Sequence, residues 1–155
     1  MALGDYAGAR RSTNRVMSLH PANQELGQFN LALISLLEGQ PEKTKAYCLQ
    51  PADERFPRLW LLALAEFSLG DAAASQRALN EFIAKNPTSN AHLARAHAWR
   101  GERDAAFAAL DRAYATRNNY LPKIPYDPLL ANLRDDPRFA ALLKKMGLPE
   151  ARKKS

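Results

Sequence analysis

The chain is poor in the residues that build sheets. Valine occurs once, at Val16, and isoleucine three times, at Ile34, Ile83 and Ile124, while alanine and leucine dominate the apolar set. β-branched side chains lose rotamer freedom in a helix and Ala and Leu lose little, so the bias points to an all-α fold. Cysteine occurs once, at Cys48, which excludes an internal disulfide and fits a reducing compartment. No stretch approaches the ~18 uninterrupted apolar residues of a membrane span. Met1 through Arg10 holds no signal-peptide core either. The expectation is a cytoplasmic protein, unless the chain is part of a larger membrane-anchored one.

Acidic side chains are in deficit: 16 Asp and Glu stand against 22 Lys and Arg, a formal charge of +6. Arg10, Arg11 and Arg15 cluster near the start, and Arg152, Lys153 and Lys154 lie in a basic tail over 150–155. Such clusters steer acidic partners or nucleic acid. No basic–aromatic interleaving of the kind that stacks bases accompanies them, which weighs against nucleic acid.

The chemistry of an enzyme is also missing. The histidines are His20, His92 and His97; a helical metal pair needs a spacing of three or four, and His92 and His97 are five apart. They read as partly exposed polar groups, and no metal or cofactor is implied. Cys48 falls on an apolar column and reads as a buried spacer, since no base is placed beside it. In Asp135-Asp136 the second carboxylate caps a helix and the first belongs to the turn before it. The glycines are isolated and form no phosphate loop. The chain is expected not to be an enzyme.

What is present is a repeat. Leu31-Ala32-Leu33-Ile34, Leu62-Ala63-Leu64-Ala65 and Leu93-Ala94-Arg95-Ala96 stand 31 residues apart, and the same step carries Gly39 to Gly70 to Gly101. It also carries Thr44 to Ser75 to Ala106 and Cys48 to Leu79 to Leu110. A small residue recurs where helices must approach, with a larger apolar one four residues on along the same face. Each unit therefore reads as helix, glycine turn, helix. First helices are expected at about 24–38, 57–69 and 89–100, with partners at about 41–50, 71–85 and 102–116. Pro57 and Pro87 suit the first turn of the helices that follow them. A helix from Gly4-Asp5-Tyr6 to about Leu19, closed by Pro21, reads as the second half of a repeat whose first half is missing.

The pattern resembles the tetratricopeptide repeat. Leu59, Leu62 and Ala63, and Asn90, Leu93 and Ala94, match its first-helix set. Ala9, Ala106 with Leu110, and the closing Pro21 and Pro87 match its second. The Gly4-Asp5-Tyr6 and Gly70-Asp71 turns are also typical of that family. The step is shorter than the family's ~34 residues, and Ser35, Glu66 and His97 stand where an aromatic is usual. Another helical-hairpin array is the rival fold. The resemblance implies a right-handed helical-hairpin solenoid of about 3.5 repeats over residues 1–149. Its parts are a half repeat at 4–22, repeats at about 24–54, 55–86 and 87–117, and a cap at 118–149.

After Arg117 the period stops. Asn118 to Pro125 reads as a loop. Asp127-Pro128 and Asp136-Pro137 then announce two short helices, each with an N-cap carboxylate before a proline at the first helical position. Leu129, Leu130, Leu133, Phe139, Leu142 and Leu143 are expected to cover the open end of the array. The tail resembles the C-terminal ends of bacterial tetratricopeptide proteins linked to regulators, which suggests the end piece of a larger protein.

A second apolar stripe runs along the first helices: Phe29, Leu33 and Leu36, then Trp60, Leu64 and Phe67, then Ala91, Arg95 and Ala98. In the family the corresponding residues line a concave surface that holds peptides. Members that clamp a peptide carboxylate do so with several polar and basic side chains, whereas here only Arg95 is cationic. The resemblance thus implies a protein or peptide partner in an apolar groove of Phe29, Leu33, Leu36, Trp60, Leu64, Phe67 and Arg95. The alternative occupant is the chain's own Tyr120–Leu130 segment. The rival functions are self-assembly or docking within a larger bacterial regulator, including a homodimer through the N-terminal edge, and nucleic-acid binding through the arginines of the first helix.

Overall fold

The computed structural model describes residues 4–51 and 57–149, and of Pro21 the backbone alone. Among these residues every regular element is helical: α1 (Tyr6–Leu19), α2 (Gln24–Leu37), α3 (Pro41–Cys48), α4 (Arg58–Ser68), α5 (Ala72–Lys85), α6 (Asn90–Trp99), α7 (Arg103–Ala115) and α8 (Pro137–Lys145). Short 3-10 segments cover Pro21–Asn23, Leu121–Tyr126 and Pro128–Leu133. The repeat predicts each paired helix to within two residues at its ends. The basic tail at 150–155 and the junction of the first two repeats near 54 lie outside the described residues.

The helix ends follow from two residue types. Gly39, Gly70, Gly101 and Gly147 adopt φ of 75°, 86°, 77° and 68°. Each closes its helix with the same pair of bonds, as at α4, where Gly70 N–H donates to Phe67 O at 3.0 Å and Asp71 N–H to Glu66 O at 3.0 Å. This left-handed closure favours glycine because a Cβ there meets the neighbouring carbonyl. The fifth such end, after α7, departs from the rule: Arg117 takes φ 51° in the same bonding pattern. Aspartate opens four of the helical segments. Asp5 accepts from Gly8 N–H at 2.7 Å and Asp71 from Ala74 N–H at 2.8 Å, while Asp127 and Asp136 cap the segments that begin at Pro128 and Pro137. Gly70-Asp71 therefore ends one helix and starts another in two residues.

The chain divides into two compact units, 1–82 and 83–155. In the first, α1 packs on α2, and α2 on both α3 and α4. Gly27 lets α1 close on α2, since a Cβ there would stand 2.2 Å from Met17 Cγ. The small-residue column does what its spacing predicts: Ala32 is buried and its carbonyl accepts from the Thr44 hydroxyl at 2.9 Å. Ala63 and Ser75, one step on, are 0% exposed. In the second unit α6 packs on α7, with Ala94 and Ala106 both 0% exposed, and Pro128–Leu133 lies against α6. The six apolar residues expected to cap are all buried.

Four local expectations are corrected. Pro87 does not open a helix; it follows Asn86 in a turn closed by Ser89 N–H to Asn86 O at 3.2 Å, where its fixed φ fits, and α6 starts at Asn90. The loop expected over 118–125 contains the 3-10 segment from Leu121. The first capping helix is 3-10 rather than α, too short at Pro128–Leu133 to gain from α-helical propagation. Cys48, at the last residue of α3, is half-buried rather than enclosed, and burial pushes its thiol up to about 12.

Candidate functional site: the second stripe of the first helices

The stripe splits by exposure. On α2 and α4, Leu36, Trp60 and Leu64 are 2%, 0% and 0% exposed, so they form a closed floor. Phe29, Leu33 and Phe67 are half-buried and keep apolar surface at the solvent boundary. Helical spacing puts Phe29, Leu33 and Leu36 on one side of α2, and Trp60, Leu64 and Phe67 on the equivalent side of α4. Of the six apolar side chains of the stripe in this unit, three therefore reach solvent and three do not.

The third repeat's share of the stripe is covered by the chain itself. Ala91 and Ala98 are buried, and Asn132 reaches back to donate its side-chain N–H to Ala98 O at 2.6 Å. Arg95 does not face solvent. Its Nε lies 2.9 Å from Asp127 Oδ2 in an ion pair whose side chains are 11% and 1% exposed. The Arg95 guanidinium also stands 4.8 Å from the centre of the Tyr120 ring. Asp127 accepts from the Tyr120 hydroxyl at 2.7 Å and from Leu129 N–H at 2.9 Å, and Arg134 donates to its carbonyl at 3.1 Å. Burial pushes the Tyr120 hydroxyl above the usual phenol range; the Arg95 charge opposes this and the Asp127 carboxylate reinforces it. His92, on the same helix, is brought down to about 4, first by burial and then by the Arg95 charge, against the pull of Asp127. Sequence reasoning treated Asp127 only as a cap; its buried place on Arg95 had no local signal.

Ser35, Glu66 and His97, which replace the usual aromatic, each meet a polar partner. Arg10 of α1 donates to Ser35 Oγ at 2.9 Å and to Glu38, lowering the Glu38 carboxyl below its ordinary range. Lys45 of α3 donates to Glu66 at 3.1 Å, and His97 Nδ1 lies 2.6 Å from Glu102 Oε2. In the first unit these are ties between a second helix and the first helix of the next repeat. Arg58 of α4 adds one, pairing with Glu25 of α2, stacking on Tyr47 at 4.1 Å and donating to the Tyr47 carbonyl at 3.0 Å.

Among the described residues, no group of three or more His, Cys, Asp or Glu side chains is gathered as a metal site would need. Among the same residues no helix is long and apolar enough to cross a membrane. The family model of the tetratricopeptide repeat matches residues 59–89, from α4 through α5 to Ser89. No curated protein and no solved structure matches the chain.

Proposed function

We propose that this chain, which carries a tetratricopeptide repeat, works as a non-enzymatic scaffold that binds a protein partner on the α2–α4 face. The repeat itself supports the coarse reading, since such repeats generally serve as interaction scaffolds. The observation that supports the finer one is the half-buried set Phe29, Leu33 and Phe67 beside a floor of Leu36, Trp60 and Leu64. Apolar side chains at helical spacing suit the apolar side of a partner helix or an extended segment. Arg95 stands outside this reading, being committed to Asp127. A Phe29→Ser, Phe67→Ser variant that stays folded by circular dichroism should lose the partners that the unaltered chain captures. Capture of the same partners by both forms would refute the α2–α4 assignment.

A second reading, self-association, is favoured by a different surface. Val16, Leu19 and Leu26 are 46%, 63% and 45% exposed, at the end of α1 and the start of α2. Sedimentation of the unaltered chain and of Val16→Asp at tens of micromolar tests it: a dimer lost in the variant supports the edge, and two monomers remove it. Nucleic acid finds less support, because Arg10 is taken up by Glu38 and Ser35, which leaves Arg11 and Arg15 of the α1 cluster.

A further inference from the structure

Within the second unit, a cavity of about 610 Å³ opens between the end of α7, the turn at Asn118–Asn119, and the end of α8. Tyr114, Leu121, Met146 and Leu148 give it an apolar wall, and Arg117 and Lys145 stand at its margin. It shares no residue with the stripe of Phe29, Leu33 and Phe67.

Two features of its lining bear on what it binds. The first is the backbone of Arg117. Four helix ends here close on glycine at positive φ; the one that lines the cavity closes on arginine at φ 51°. The closure of α7 imposes that backbone, with Arg117 N–H donating to Tyr114 O at 3.0 Å and Asn118 N–H to Ala113 O at 3.0 Å, and it places a guanidinium side chain at the cavity where the other ends carry none. Cations at helix ends complement the helix dipole, which accounts for Lys145 in the last turn of α8. It does not require Arg117 to be placed in a left-handed conformation. The second is charge. Among the described residues neither Arg117 nor Lys145 has a carboxylate partner; Lys145 instead lies 4.4 Å from the centre of the Tyr114 ring. Asn118 spends its side-chain oxygen on Tyr120 N–H at 2.9 Å, leaving its amide NH₂ as a donor.

We propose that this cavity binds a short acidic peptide segment carrying an apolar side chain. The apolar side chain sits against Leu121 and Met146, and its acidic neighbours pair with Arg117 and Lys145. The formal charge of +6 attracts such a segment at long range. A nucleic-acid strand fits less well: it needs a track of cations and open stacking faces, whereas here there are two cations and the Tyr114 ring is already engaged by Lys145.

The test is an amide chemical-shift titration of the full chain with two peptides of about seven residues. Both alternate leucine with charge, one using Asp and Glu and the other Lys. The acidic peptide should shift Tyr114, Asn118, Asn119 and Met146 to saturation, and the basic one should not. Arg117→Asn with Lys145→Gln, in which Asn tolerates the left-handed backbone, should weaken binding roughly tenfold or more without lowering the melting temperature. Equal binding by the double variant or by the basic peptide overturns the proposal, as does preferential binding of a single-stranded oligonucleotide. Shifts confined to Phe29, Leu33 and Phe67 overturn it too, while leaving the scaffold reading in place.

Discussion

Replacing Asp127 by asparagine keeps the side-chain shape and an oxygen for Leu129 N–H but removes the charge opposite Arg95. The Asp127 side chain is 1% exposed and that of Arg95 is 11% exposed, so water replaces little of what is lost. Breaking a buried pair by removing one partner costs about 3–5 kcal/mol, because the other charge stays buried and uncompensated. Arg95 retains a margin of exposure and its contact with Tyr120, which places the expected loss near the lower bound, about 3 kcal/mol. With a urea slope of about 2 kcal/mol/M for a small protein, the unfolding midpoint should fall by about 1.5 M in far-ultraviolet circular dichroism. Arg95→Met alone should also destabilise, since it strands the carboxylate. The Arg95→Met, Asp127→Asn double variant should recover part of the loss, having no buried charge to strand. A double variant whose loss equals the sum of the single losses would show no coupling and refute this account of the cap.

His92 is depressed to about 4. Between that value and its unfolded value near 6.5 the unfolded chain binds the extra proton. Its contribution is thus complete above pH 6.5, is lost as pH falls toward 4, and changes no further below. The loss should reach about 3 kcal/mol, and a His92→Gln chain should show a flatter stability profile across that window. At the helix ends, Gly101→Ala should cost about 1 kcal/mol although space for the Cβ is free, and Arg117→Asn should stabilise by a few tenths to about 1 kcal/mol; a thermal melt in which both variants move the same way would contradict this. Ala63→Leu should cost about 1–3 kcal/mol by overpacking a fully enclosed site, and an unchanged denaturation midpoint would refute the repeat register.

The helices and turns were legible because their causes are local and repeat. Gly39, Gly70 and Gly101 answer one backbone requirement three times, and Ala32, Ala63 and Ala94 answer one packing requirement. The polar ties were not legible, because each joins residues 21 to 33 positions apart: Lys45 to Glu66, Arg10 to Ser35 and Glu38, Arg58 to Glu25. The sequence marks only that Ser35, Glu66 and His97 are not aromatic. A polar residue at a packed position implies a partner, but the period does not say where the partner lies.

The same limit explains the divided fate of the candidate site. Register makes Leu33, Leu64 and Arg95 equivalent, and treats the stripe as one surface. Equivalence of position is not equivalence of neighbours. Along an array, the first helix of one repeat meets that of the next, as α2 meets α4. Where the period stops, α6 meets Pro128–Leu133 instead, a segment of different sequence that brings its own acid. An arginine is tolerable under that segment because Asp127 and Tyr120 arrive with it. In a column otherwise filled by leucine, Arg95 therefore marks the end of the repeats, and of the stripe's large apolar side chains Phe29, Leu33 and Phe67 are the ones that keep surface at the solvent boundary.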